Sequence, residues 1–118
     1  MKAIILIDHG SRRPEAHQAL LDLVKKFQEK TKTPLVIPAH MEIQKPTLLD
    51  AFEEAVRKGA QSVRVIPLFL FPGNHVETDI PRQCEEAHLK FPQVSWSLGR
   101  CLSESDQLID VITDLETI

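Results

Sequence analysis

Nearly continuous apolar runs of strand length alternate with segments of helical periodicity four times along this 118-residue chain. The runs Ala3–Ile7 and Val63–Leu70 are typical of strands that are buried on both faces. In residues 14–31 the apolar positions instead recur every three or four residues, as they do on one face of a helix. The pattern as a whole predicts strands at residues 2–8, 34–41, 62–70 and 93–98, and helices at residues 14–31, 46–58, 79–90 and 104–116.

Strands that are separated by helices of this length predict βαβ units and a mostly parallel four-stranded sheet flanked by helices, which is an α/β fold. No linker or composition shift divides the chain, so we expect one domain over residues 1–118. Pro38 lies inside the second predicted strand and indicates an edge strand or a bulge, because proline cannot donate to a neighbouring strand.

Charge and hydropathy exclude several classes of protein. The formal net charge is −3, and no basic patch argues for nucleic acid as a partner. No apolar stretch approaches the roughly 20 residues that a membrane-spanning helix needs, so no membrane partner is expected. Residues 1–4 run directly into the first strand without a leader pattern, which predicts a cytoplasmic protein. Cys84 and Cys101 are isolated, and we interpret them as ordinary reduced thiols.

Two histidines, His9 and His75, each stand just beyond a predicted buried strand. Ligands of open α/β sheets bind in the crevice outside the carboxyl ends of the strands. Two imidazoles at two such ends can therefore share one crevice. Imidazole is a common metal ligand and titrates near neutral pH, so this pair is the best candidate for the functional site.

The segment after His9 has features of an anion site. Gly10 allows a sharp turn of the backbone. Ser11 and the amides that follow it can bind an anion at the start of the first helix, and Arg12 and Arg13 add positive charge for carboxylate or phosphate.

The segment before His75 combines apolar bulk with a glycine. It runs from Phe69 to Asn74 and suits a flat, apolar ligand with a polar centre. Asp79 has two interpretations: it orients the His75 ring as a carboxylate partner, or it only caps the third helix. The first requires residues 75–79 to be helical already.

The end of the second strand contributes Glu42 and Lys45. Glu42 enters the same crevice if the sheet places the first three strands side by side, and Lys45 can meet an anionic ligand. His40 precedes them in the second predicted strand. Because side chains alternate along a strand, His40 points to the side opposite Met41 and is expected to face the sheet. His17 and His88 fall within helices and are expected to be ordinary surface or boundary residues.

No compact zinc signature such as HExxH or paired CxxC is present. The two histidines and the carboxylate stand on separate strand ends. This spacing favours an open metal site over a closed structural one.

The ordered set of motifs resembles the short-form sirohydrochlorin chelatases, small class II chelatases that insert cobalt, iron or nickel into sirohydrochlorin. The resemblance runs from about residue 4 to residue 98. No single motif is specific, but their order is. The motifs are His9-Gly10-Ser11-Arg12, Met41-Glu42 with Pro46-Thr47-Leu48, Gly59, Pro67-Leu68-Phe69-Leu70, Gly73-x-His75 and Asp79-Ile80-Pro81.

The resemblance implies a single flavodoxin-like, chelatase-like lobe that holds metal and tetrapyrrole above the strand ends. It implies that His9 binds metal and accepts a proton, that His75 is the second metal ligand and that Glu42 is a third candidate. It also implies a homodimer, because longer chelatases contain two such lobes. The implied substrate-binding residues are Lys45, Leu70, Phe71, Pro72, Gly73, Asn74 and His75, with Ser11 and Arg12 as further candidates.

The implied reaction is insertion of Co²⁺, Fe²⁺ or Ni²⁺ in cobalamin or siroheme biosynthesis, with the metal as substrate and no permanently bound cofactor. Asp8 departs from the family, which more often has a small residue there, and a carboxylate at this place can raise the basicity of His9 or compete for metal.

Two other functions stay open. A non-catalytic metal or tetrapyrrole carrier would use the same residues. A histidine-phosphatase-like phosphohydrolase is suggested by His9-Gly10-x-Arg12, but that motif needs an arginine where Asp8 stands, and a carboxylate would repel phosphate.

Overall fold

Four parallel strands form one sheet at the centre of the molecule. The structure is a computed structural model that describes residues 1–118. Its strands run in the order β2-β1-β3-β4, so the first strand is flanked by the second and the third. The strands are β1 (Lys2–Asp8), β2 (Leu35–His40), β3 (Ser62–Pro67) and β4 (Ser95–Leu98). The predicted α/β fold with a parallel sheet is confirmed.

Helices cover both faces of the sheet. The four helices are α1 (Pro14–Thr31), α2 (Leu48–Arg57), α3 (Ile80–Lys90) and α4 (Leu108–Glu116). The larger core contains side chains of α2 and α3, such as Phe52 and Ile80, together with Ile5 and Ile7 of β1. The smaller core joins Leu20 of α1 to the other face. Since strand side chains alternate, Asp8 lies on the α1 face together with Leu6.

Several predicted helices and strands are longer than the observed ones. The third strand ends at Pro67, not at residue 70, because the segment that follows leaves the sheet. The last helix begins at Leu108, after a short 3₁₀ turn at Leu102–Glu104. The second helix begins at Leu48, where the side chains and amides of Thr47 and Asp50 form a reciprocal capping box. The edge position predicted from Pro38 is correct, since β2 pairs only with β1.

The last helix differs from the others because it has no buried residue. Its main contact within the chain is with the 3₁₀ turn that precedes it. Four of its apolar side chains are at least half exposed: Ile109, Val111, Ile112 and Leu115. None of the helices is long and apolar enough to cross a membrane.

Candidate functional site

The ends of three adjacent strands bring His9, Glu42 and His75 together. His9 directly follows β1, Glu42 lies two residues beyond β2, and His75 follows the loop after β3. His9 Nε2 lies 2.9 Å from Glu42 Oε1, and the centroids of the His9 and His75 rings are 5.0 Å apart. The two strand ends therefore bring His9 and His75 together, as predicted, and the order of the strands places Glu42 beside His9.

Backbone hydrogen bonds extend the pairing of β1 and β2 into the site. The amide of Met41 donates to the carbonyl of Asp8 at 2.8 Å, and the amide of Glu42 donates to the carbonyl of His9 at 3.1 Å. Gly10 has a φ of +101°, and a Cβ atom there would lie 1.9 Å from the Glu42 carbonyl oxygen. Only glycine allows the two segments to approach this closely.

A π-helical turn, His75–Asp79, presents the second histidine. It continues directly into α3. The carboxylate of Asp79 accepts a hydrogen bond from His75 Nδ1 at 2.9 Å. Asp79 has helical dihedral angles and makes no side-chain cap, so the interpretation of Asp79 as a helix cap is wrong. The carboxylate instead fixes the ring tautomer and leaves Nε2 of His75 available as a metal ligand.

The side wall of the site is aromatic. The centroid of the Phe69 ring lies 6.5 Å from that of His9 and 6.3 Å from that of His75. Phe69 begins the segment predicted to suit a flat ligand, but it is not among the individual predicted binding residues, because its apolar run also indicates strand core. It reaches the site because β3 ends two residues earlier, at Pro67.

The polar partners of His9 are both oxygen atoms. Nδ1 lies 3.2 Å from the carbonyl oxygen of Gly10, and Nε2 faces the carboxylate of Glu42. An oxygen acceptor requires the ring nitrogen to carry a proton, so this arrangement suits the His9 ring after it has accepted one. No three His, Cys, Asp or Glu side chains converge into a group that can hold a metal ion, so a metal that His9 shares with His75 requires the His9–Glu42 contact to open.

The remaining predicted binding residues lie in the segments that follow the first three strands. Exposed positions include Lys45 and the whole stretch Leu70–Asn74, with the Phe71 side chain 67% exposed. Ser11 is partly occupied, because its amide donates to Gln44 and its hydroxyl oxygen accepts from Arg13. Arg12 is exposed. These side chains are therefore accessible to a ligand.

Three further predictions concern residues on the α1 face and in the core. The Asp8 carboxylate bonds to His40 at 2.6 Å, so its two predicted roles, toward His9 or toward a metal, stay predictions. His40 faces the sheet side as expected and is fully buried. Both cysteines are free and buried, and burial raises the pKa of the Cys84 thiol to about 12, so this thiol stays protonated at neutral pH.

The family model described as CbiX matches residues 3–117 of the chain. A sirohydrochlorin ferrochelatase, chloroplastic, from Arabidopsis thaliana is 46% identical over 111 residues, which are 94% of this chain and 49% of the relative. A sirohydrochlorin cobaltochelatase from Methanocaldococcus jannaschii is 39% identical over 82 residues, covering 70% of this chain and 57% of the relative. The chain therefore spans about half the length of these curated relatives.

Two solved structures have the same fold. The sirohydrochlorin chelatase SirB from Bacillus subtilis subspecies spizizenii, in complex with cobalt, superposes with a TM-score of 0.88 at 27% identity, over 99% of this chain and 50% of SirB. A Marinobacter aquaeolei VT8 protein designated CbiX in cobalamin biosynthesis matches with a TM-score of 0.86 at 26% identity, over 99% of this chain and 95% of its own. By family model, sequence and fold, the chain belongs to the CbiX family of sirohydrochlorin chelatases.

Proposed function

We propose that this chain is a sirohydrochlorin chelatase that inserts Co²⁺ or Fe²⁺ into the tetrapyrrole, with Ni²⁺ as a third candidate metal. The observation that carries the proposal is the meeting of His9, Glu42 and His75 at the carboxyl end of the sheet. The names of the relatives, which include a ferrochelatase and a cobaltochelatase, support both metals, and the proposed pathway is siroheme or cobalamin biosynthesis.

Metal insertion requires the loss of two pyrrolic protons and the delivery of a divalent ion. In the proposed reaction His9 accepts one pyrrolic proton at Nε2, where the carboxylate of Glu42 stabilises the protonated ring, and the second proton passes to solvent, to which both side chains are exposed. His75, which Asp79 orients through Nδ1, offers Nε2 to the incoming metal. An open ligand set lets the metal leave for the macrocycle, whereas a closed four-ligand site would retain it.

The rim of the site suits the macrocycle. The ring of Phe69 and the exposed loop Leu70–Asn74 provide apolar surface for a flat tetrapyrrole. Lys45 and Arg12 are exposed cations that can meet its carboxylates. The Ser11 hydroxyl accepts from an amide and still has its own proton to donate.

A turnover assay tests this proposal. Purified chain, sirohydrochlorin and Co²⁺ or Fe²⁺ are expected to give the metallated product faster than the same mixture without protein, followed by the change in tetrapyrrole absorbance. Binding of the tetrapyrrole with insertion no faster than in buffer would instead favour a carrier. The cytoplasmic location expected from the sequence stays a prediction, and the A. thaliana relative is named chloroplastic.

We also propose that the chain works as a homodimer. The relatives that it matches over half their length have room for a second lobe in the same chain, and a second copy would supply that lobe here. The unburied apolar side chains of α4, such as Ile109 and Ile112, offer surface for such a contact, because exposed apolar patches commonly mark interaction sites.

Sedimentation checks the dimer. The wild-type chain is expected to sediment as a dimer, and Ile109→Glu combined with Ile112→Glu is expected to sediment as a monomer, because charges at the centre of an apolar interface are costly. Leu89→Glu is the matched control, since Leu89 is an exposed apolar residue on α3 and its change should leave the dimer intact. A wild-type chain that is monomeric and fully active would contradict the proposal.

A further inference from the structure

Three polar side chains form a line on the α1 face of the sheet, beneath the site. Asp8 Oδ1 lies 2.6 Å from His40 Nδ1, and His40 Nε2 lies 2.8 Å from Nδ1 of His17 on α1. His40 is 0% exposed and is the only polar or charged residue among the buried ones. We call this line the Asp8–His40–His17 network.

The network satisfies both nitrogens of the buried ring. A carboxylate oxygen accepts, so His40 Nδ1 donates to Asp8. Nε2 of His40 pairs with Nδ1 of His17. A buried imidazole that lacked either partner would be destabilising. The two hydrogen bonds therefore determine both the tautomer and the orientation of the ring.

The same two chain segments carry the site. Asp8 immediately precedes His9, and His40 lies two residues before Glu42. The backbone of these segments is already joined by the amides of Met41 and Glu42. The bond between the Asp8 and His40 side chains adds a third link, on the opposite face from the core that contains Met41.

We propose that His40, which is hydrogen-bonded to Asp8 and His17, is a positioning residue that sets the separation of His9 and Glu42 for metal binding and insertion. The inference rests on the proposed chelatase function. Partners behind metal ligands typically change metal affinity or activity by about 10- to 100-fold when they are removed. Here His40 acts on His9 and Glu42 through the backbone of the two strand ends.

Two substitutions of His40 separate its two hydrogen bonds. The amide nitrogen of His40→Asn lies near the former Nδ1 and keeps the bond to Asp8. The amide of His40→Gln lies near the former Nε2 and keeps only the bond to His17. We expect His40→Asn to retain a Co²⁺ dissociation constant within about threefold of wild type, and His40→Gln to raise it by about 10-fold or more.

The measurement is titration with Co²⁺ alone, by calorimetry and by the visible absorption of the bound ion, which reports its coordination geometry. Thermal unfolding identifies the variants that fold. His88→Gln is the control, because His88 is a histidine that bonds to a backbone carbonyl elsewhere in the molecule. Unchanged Co²⁺ affinity in both folded variants, or an equal loss in both, would overturn the positioning role.

A second set of variants keeps the test decisive if His40→Gln does not fold. Asp8→Ala breaks the same bond from its partly exposed end and is expected to raise the Co²⁺ dissociation constant similarly, while His17→Leu, which spares that bond, should change it less. The reverse order would contradict the inference.

Turnover separates this inference from the proposed function. A wild-type chain that binds Co²⁺ without inserting it removes the chelatase proposal, and with it the role in insertion. An active wild type whose His40→Gln and Asp8→Ala variants keep their metal KM and kcat removes the positioning role alone.

Discussion

His9→Ala is expected to lower the rate of metal insertion by about 100- to 10,000-fold, the range in which a general base contributes. The loss should persist at saturating Co²⁺, because the proposed role of His9 is to accept a pyrrolic proton, which added metal does not replace. Its Nε2 stands 2.9 Å from the carboxylate of Glu42, and alanine leaves that carboxylate without a ring to stabilise. Initial rates over a range of metal and tetrapyrrole concentrations measure the effect.

His75→Ala should behave differently, and the contrast makes the test specific. His75 is held by Asp79 through Nδ1 and is proposed to offer Nε2 to the metal. Its loss is expected to raise the KM for metal, with part of the rate recovered at high Co²⁺. His88→Ala is the control, because His88 bonds to the Val94 carbonyl on another part of the molecule. Near-normal turnover of His9→Ala at low metal would remove His9 from the mechanism.

Gly10→Ala is expected to destabilise the fold by at least about 2 kcal/mol, because the φ of +101° is strained for any residue with a side chain. The new Cβ would also lie 1.9 Å from the Glu42 carbonyl oxygen. That oxygen belongs to backbone, so the clash is relieved only by separating the segments that carry His9 and Glu42. Metal insertion should therefore fall as well. Urea unfolding gives the loss in the free energy of unfolding.

Gly73→Ala is the matched control for stability. Gly73 has no positive φ, and a Cβ there meets nothing within 4 Å. The same chemical change should leave the free energy of unfolding equal or slightly higher, because alanine restricts the unfolded chain. If both variants unfolded at the same urea concentration, the close approach at Gly10 would not be the cause of its stability effect.

The sequence predicts much of this fold because the signals are local. Apolar periodicity distinguishes α1 from β1 without any knowledge of contacts. The boundary of β3 failed because the strand signal outlasts the sheet. Leu68 to Leu70 are apolar enough for a strand, but β4 ends at Leu98 and pairs only with residues up to Val65 of β3, so the segment turns towards the site.

The site also has parts that the sequence predicts and parts that it does not. That His9 and His75 share a crevice follows from two strand ends of one parallel sheet. The contact between Asp79 and His75 depends on a π-helical turn. No apolar pattern in residues 75–79 predicts the wider spacing of such a turn. The partner of Asp8 was not predicted, because adjacency in sequence suggested an effect on His9 or on a metal, whereas strand alternation turns the Asp8 side chain to the α1 face, where it bonds to His40.

The sequence by itself thus determined the α/β class, the parallel sheet and the strand ends at which the histidines stand, since these depend on periodicity and on the order of elements. Only the tertiary structure decided that Glu42 meets His9, that Phe69 closes the site and that His40 bridges Asp8 to His17. Those contacts depend on the register of β1 with β2 and on the docking of α1. Both arise from packing between residues far apart in the chain, which local patterns do not encode.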